Sequence, residues 1–249
     1  MKKIATFIFV HEQDIILRYE EIEKFDYLPD VKYVLVGKNA CDLVENNKKV
    51  IIARKLKNNI ENHPKFTSFT GWYALWKNGL INSDYVSLLE YDVIVQQSFS
   101  KVTQSLVDQN IDFLGYVPMP VWAGCYLKYG QWTDRLFEVI KDVYQVEMKQ
   151  FMEEFCAKNP NLNWSSTTNS TFSKNFFDKY MTWFEKIFNE MKDFEFAGHA
   201  HERSISIFCF FKKAKVILQS GLLEHLQLNS HGTSPLPKGR FNKYFCKLL

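Results

Sequence analysis

No two cysteines in this sequence form a CxxC pair. Cys41, Cys125, Cys156, Cys209 and Cys246 are widely separated and odd in number, which supports neither a zinc site nor a disulfide framework. That pattern fits reduced thiols and a cytoplasmic location. No run approaches the roughly 20 apolar residues of a membrane span. Ile4 to Val10 follows Lys2-Lys3, yet no small-residue cleavage site precedes His11-Glu12-Gln13-Asp14, so the run reads as a first strand and not as a signal peptide. The sequons at Asn163 and Asn169 are then expected to stay unglycosylated. Glycine-rich phosphate loops are also missing. No GxGxxG follows the first strand, and no GxxxxGK followed by Ser or Thr occurs, which disfavours dinucleotide dehydrogenases and P-loop ATPases. The formal charge is only +3, and basic clusters such as Lys212-Lys213-Ala214-Lys215 are short. Duplex nucleic acid is therefore not an expected partner.

What is present is apolar and aromatic. Hydrophobic residues make up 46% of the 249 and the chain holds 22 Phe, enough for one substantial core in a single domain. Strand and helix alternate through the first hundred residues: strands at Lys3 to Val10, Val31 to Val36 and Lys49 to Ala53, and helices at Ile15 to Phe25 and Thr70 to Leu80. A strand from Tyr85 follows, then a helix from Phe99 to Asp108 capped by Ser98 or Ser100, and a strand from Asp112 to Val117. This alternation predicts an α/β fold with a doubly wound, mainly parallel sheet covered by helices on both faces. The second half reads as two long amphipathic helices, Trp132 to Cys156 and Ser173 to Lys192, separated by the polar stretch Asn159 to Thr171. Asn229 to Gly239, with two prolines and two glycines, reads as a loop that orders on ligand binding.

The densest signal lies between Thr70 and Val95. An aromatic helix is followed by a short turn and the apolar strand Tyr85-Val86-Ser87-Leu88-Leu89, which ends in Glu90-Tyr91-Asp92. Side chains two apart on extended chain point the same way, so Glu90 and Asp92 are expected to converge at the carboxyl end, where open α/β sheets bind ligands. Paired carboxylates repel unless a cation lies between them, and a hard divalent ion is the usual one. The bland alternative is a pair of acids leaving a strand into solvent.

Strand-first alternation, the TGWYALWKN helix and LLEYDV at a strand end resemble the nucleotide-sugar half of GT-A glycosyltransferases, particularly polysaccharide-building transferases of bacteria and large viruses. The resemblance covers residues 1 to 117 as architecture and is motif-level between Thr70 and Asp92. It implies a GT-A-like, Rossmann-like fold over 1–249, with a nucleotide-sugar half (1–117) and a helical acceptor half (118–249). In that family a DxD motif holds Mn²⁺ or Mg²⁺ against the donor diphosphate. Here Glu stands at the first position, so Asp92 is the expected direct ligand and Glu90 a ribose or water-mediated contact, with Tyr91 between them.

The same resemblance implies further site residues. Gly198-His199-Ala200-His201-Glu202-Arg203-Ser204 is similar to the acidic motif at the start of a late helix in inverting members, which makes Glu202 the candidate base and His201 the alternative. Arg203 would pair with Glu202 or with the leaving diphosphate. A capping cluster with a structural ion pair accounts for the same residues. His231 resembles the loop histidine that completes the metal shell in several members, and Lys238 and Arg240 resemble phosphate contacts beyond it. Phe9, Val10 and His11 lie where this fold receives the base, and Arg54 and Lys77 are candidate phosphate or ribose contacts. Trp122, Trp132 and Trp164 are candidates to line an acceptor groove, though packing is the readier account of each.

The expectation is a metal-dependent, inverting glycosyltransferase moving a sugar from a UDP-linked donor to a hydroxyl of a glycan or glycoconjugate. No nucleic-acid partner is expected, and peripheral membrane contact stays open. The rival readings are a metal-dependent phosphohydrolase or nucleotidyltransferase and a non-catalytic carbohydrate-binding protein on the same fold.

Overall fold

The computed structural model describes residues 1–10, 28, 30–37, 48–120, 130–165 and 167–225. The helix expected at Ile15 to Phe25, the segment around Asn39 and Asp42, and the loop from Asn229 to Gly239 lie outside the described residues.

Among the described residues, a seven-stranded sheet forms the centre. Its parallel part is β1 (Ile4–Val10), β2 (Val31–Leu35), β3 (Val50–Ile52) and β4 (Tyr85–Glu90), with β1 between β2 and β4. Beyond β4 the order runs through β9 (Ser170–Ser173) and β6 (Phe113–Gly115) to β10 (Val216–Leu218). β9 is antiparallel to both β4 and β6, and β10 is parallel to β6. Two small ribbons flank this sheet: β5 (Val93–Val95) with β11 (Leu223–His225), and β7 (Pro118–Pro120) with β8 (Asn163–Ser165).

Alternation along the strands sorts side chains into two cores. Phe7, Phe9, Val34, Val86, Leu88, Phe113 and Phe172 face one side, packed under α1 (Phe69–Lys77), α3 (Gly130–Tyr144), α4 (Met148–Lys158), α5 (Lys174–Met191) and α6 (Ala197–Phe211). Ile8, Val10, Tyr33, Leu35, Leu89 and Leu114 face the other, against α2 (Phe99–Val107). Helices thus cover both faces. α1 approaches β1 so closely at Gly71 that a Cβ there would stand 2.7 Å from the Phe9 ring. Among the described residues, no helix is long and apolar enough to cross a membrane.

Three element assignments change. α1 stops at Lys77 instead of Leu80 because Gly79, at φ +64°, turns the chain; Leu80 N–H then bonds to Leu75 O at 3.0 Å, closing the helix end. The single helix expected from Trp132 to Cys156 is two, α3 and α4, split where Gln145 adopts φ +54°. The polar stretch from Asn159 to Thr171 holds β8 and the start of β9, a central strand. Other boundaries move by a residue or two. Ser173 caps α5, its Oγ accepting from Phe176 N–H at 3.3 Å.

Candidate functional site

Glu90 ends β4, beside β1 in the middle of the sheet, and its carboxylate is tied down from two directions. Ser68 Oγ donates to Glu90 Oε1 at 2.5 Å and Thr168 Oγ1 donates to the same oxygen at 2.6 Å. Glu90 N–H donates to Asn169 Oδ1 at 2.7 Å. Ser68 stands at the N-cap of α1, where a serine side chain ordinarily accepts from the first helical turn. Its hydroxyl makes no such cap bond and is given to Glu90. The amino end of α1, with its partial positive charge, therefore lies against the acid and favours negative charge there. Ser68 and Thr168 were not singled out in the sequence, and Asn169 only as a sequon, because hydroxyl and amide residues of loops carry no periodic signal.

The chain turns immediately after Glu90. Pairing with β1 ends at Phe9 opposite Glu90, with Tyr91 N–H donating to Phe9 O at 3.1 Å. Tyr91 and Asp92 form the turn into β5. The extended geometry that would align Glu90 with Asp92 thus gives way to a turn, and Asp92 Oδ1 is shielded from solvent. Tyr91 is 2% exposed, in the second core, and Phe9 and Val10 are equally buried, so only their backbones reach the strand ends.

The later motif converges on the same place. α6 begins against the segment before α1: a Cβ on Gly198 would be 3.0 Å from Lys65 O. One turn on, His201 is fully buried, with its ring 4.6 Å from that of Phe69, 4.9 Å from Trp72 and 5.2 Å from Phe184. Neither of its ring nitrogens has a hydrogen-bond partner. Burial pushes its pKa down to about 3, against the opposing pull of Glu90, so the ring is neutral at physiological pH. The structure thus brings Glu90 and His201 within electrostatic reach of each other.

Glu202 stands on the adjoining flank of α6 with its side chain 25% exposed, its Oε2 lying 3.8 Å from both His199 Nδ1 and Arg203 Nη1. Arg203 is buried, donates to His199 O at 2.8 Å and lies 5.8 Å over the ring of Trp164. Trp164 is itself 2% exposed, a packing residue of β8 and not a groove wall.

Two expected donor contacts stand apart. Lys77 is at the far end of α1, about 13 Å along the helix axis from Ser68; it forms an ion pair with Glu185 at 2.6 Å and covers the Trp76 ring at 4.3 Å. The Glu185 carboxylate also takes the Tyr73 hydroxyl, whose pKa is pushed up to about 12, chiefly by burial. Arg54 is exposed on the turn after β3, the outermost strand on that side. His11, His231, Lys238, Arg240 and Trp122 lie outside the described residues, and of Trp132 only the helical backbone is described. One further acid occupies the carboxyl end of β2. Glu61 Oε2 accepts from Gly37 N–H, and its Oε1 is buried without a hydrogen-bond partner. As a lone acid in the loop NNIENHP, it gave no signal in the sequence.

Among the described residues no cluster of three or more His, Cys, Asp or Glu side chains forms a metal cage. Glu90 and Asp92 supply two carboxylates. That is the sparse protein set with which a magnesium-type ion binds when substrate phosphates and waters fill the remaining positions.

No protein-family model matches the sequence, and no curated protein matches it. Solved structures do match. The bifunctional glycosyltransferase WbbM superposes with a TM-score of 0.58 at 15% identity, over 91% of this chain and 46% of that one. The galactosyltransferase LgtC gives 0.45 at 8%, over 98% and 96%, and core-mannan synthase A from Aspergillus fumigatus, in an Mn/GDP form, gives 0.43 at 9%, over 88% and 73%. This chain spans a little under half the length of WbbM. At such identities the likeness is one of fold, and it agrees with the sheet order and layering: the chain has a GT-A-like α/β fold, mainly parallel at its centre, with Glu90 at the carboxyl end of a central strand.

Proposed function

We propose that this protein is a glycosyltransferase that moves a sugar from a nucleotide-diphosphate donor, UDP-linked, to a hydroxyl of a glycan or glycoconjugate. The observation that carries the reading is Glu90, held at the carboxyl end of β4 by Ser68 and Thr168 in a GT-A-like sheet. Ligands of open α/β sheets bind at that end. With Oε1 committed to two hydroxyls, Glu90 serves as a fixed acceptor for a ribose hydroxyl or a bound water, and Asp92 is the carboxylate assigned to Mn²⁺ or Mg²⁺. His231 is the expected third ligand, and Lys238 the cation for the diphosphate. When bound, such an ion supplies Lewis-acid stabilisation of the charge on the departing diphosphate. Glu61 offers a second buried acceptor to the nucleoside.

Glu202 is the proposed base. Its partial exposure suits a group that must meet an acceptor hydroxyl, whereas His201 is enclosed by rings and is neutral only because it is dry. A base at Glu202 makes displacement direct and the outcome inverting.

The test is calorimetric titration of UDP, GDP and CMP, with and without Mn²⁺, on the wild type and on Asp92→Asn. Manganese-dependent binding of UDP that disappears in the variant is the expected result. Failure of every nucleotide to bind under either condition would sink the proposal. Binding of another nucleotide would correct the donor and keep the reaction class.

A further inference from the structure

A groove of about 610 Å³ opens on the outer side of α5, bounded by the ends of α3 and α6. It starts at the opposite end of the sheet from Glu90 and runs along α5. Lys174 N–H donates to Asp84 O at 2.8 Å, which puts the start of α5 beside the amino end of β4. Lys212, on the far rim, follows the carboxyl end of α6, about 16 Å along the helix axis from His201.

The rim is basic. Lys179, Lys186 and Lys212 are exposed, and none pairs with a carboxylate among the described residues. Lys186 Nζ stands 5.7 Å over the Tyr144 ring and Lys212 Nζ 5.0 Å over that of Phe211. Lys179 and Lys186 are two turns apart on α5, about 10 Å along its axis, too far for one phosphate to bridge. The complementary ligand carries separated negative charges on an extended chain.

The floor adds two further requirements. Tyr144 stacks on Trp183, with ring centroids 6.1 Å apart and planes at 17°, and the Tyr144 hydroxyl donates to Trp183 O at 2.6 Å. That bond fixes the half-buried ring as a flat apolar face. Asp178 then supplies an acceptor among the amines. Its Oδ2 takes Lys174 Nζ at 2.5 Å, while Oδ1 is buried without a hydrogen-bond partner. The Asp178 carboxylate repels a polyphosphate laid along the amines, whereas a sugar ring brings hydroxyl donors for its part-exposed side chain and an apolar face for Tyr144.

We infer that this groove binds an acidic oligosaccharide, a chain of sugars with carboxylates on separated rings. The inference does not rest on the transferase reading, since no residue of the groove belongs to the candidate site. Titrating full-length protein with an oligogalacturonate, a neutral malto-oligosaccharide of equal length and polyphosphate, at low salt, tests it directly. The oligogalacturonate is expected to bind wild type and to lose at least about tenfold in affinity in the combined variant Lys179→Ala, Lys186→Ala, Lys212→Ala, and again as salt is raised. The malto-oligosaccharide and polyphosphate are expected to bind at least about tenfold more weakly than the uronate. All three substitutions are on exposed side chains, and an unchanged melting curve verifies the fold. No uronate binding, equal binding by the triple variant, or polyphosphate binding as tightly as the uronate would each overturn the inference.

Discussion

His201 shows how a single residue ties this fold to pH. Its pKa falls to about 3 because burial strips the imidazolium of solvent and no acceptor replaces it. The unfolded chain binds a proton there below about pH 6.5 and the folded chain does not until about pH 3, so stability is lost as pH drops through that window, at about 1.4 kcal/mol per unit. Between pH 7 and pH 4.5 the wild type should lose on the order of 2–3 kcal/mol that His201→Phe keeps, measured by urea unfolding of both proteins at both pH values. Equal losses in the two would remove His201 as the cause. Candidate residues were legible in the sequence to uneven depth. The place of Glu90 at a strand end could be read because a buried strand ending in an acid is a local pattern. The ring cage around His201 could not, because Phe69, Trp72, Tyr180 and Phe184 come from two other helices.

At the scale of elements, β9 is the instructive case. Ser170 to Ser173 contains one apolar residue in four, and its sequence reads as loop, yet it lies buried between β4 and β6. A polar strand is tolerated there because its neighbours supply partners. Thr171 Oγ1 is 2.6 Å from both Ser87 Oγ and the Tyr116 hydroxyl, which reaches Thr103 at 3.2 Å. Burial pushes the Tyr116 pKa up to about 12. Hydrophobic periodicity is blind to a strand held by hydroxyls, whereas β1, apolar at every position but Thr6, could be placed to within a residue. Thr171→Val keeps the shape and removes the shared oxygen, leaving Ser87 and Tyr116 short of a buried partner. A loss of about 1–3 kcal/mol is expected, read as a lower urea midpoint at constant slope. A change of only a few tenths would mean that packing alone holds the strand.

For the whole molecule, the sheet order decides which parts can exist separately. β9 and β10 come from the second half of the chain, but β9 supplies the partner of both β4 and β6, and α5 and α6 cover the face bearing Phe9, Val86 and Leu88. Nothing in the sequence of residues 1–117 announces this interleaving, since strand order is set by contacts between distant segments. A fragment ending at residue 117 would leave β4 and β6 with open edges and that apolar face in water, conditions that favour aggregation over folding. The full chain is expected to unfold with coincident transitions by far-ultraviolet circular dichroism and tryptophan fluorescence, and the fragment to show no cooperative transition. Independent folding of the fragment would make the donor side a separable module. The interleaved sheet argues the reverse, because Thr168 and Asn169, which hold Glu90, immediately precede β9 and are carried into the site by it. The chain must therefore complete its sheet before its candidate site exists.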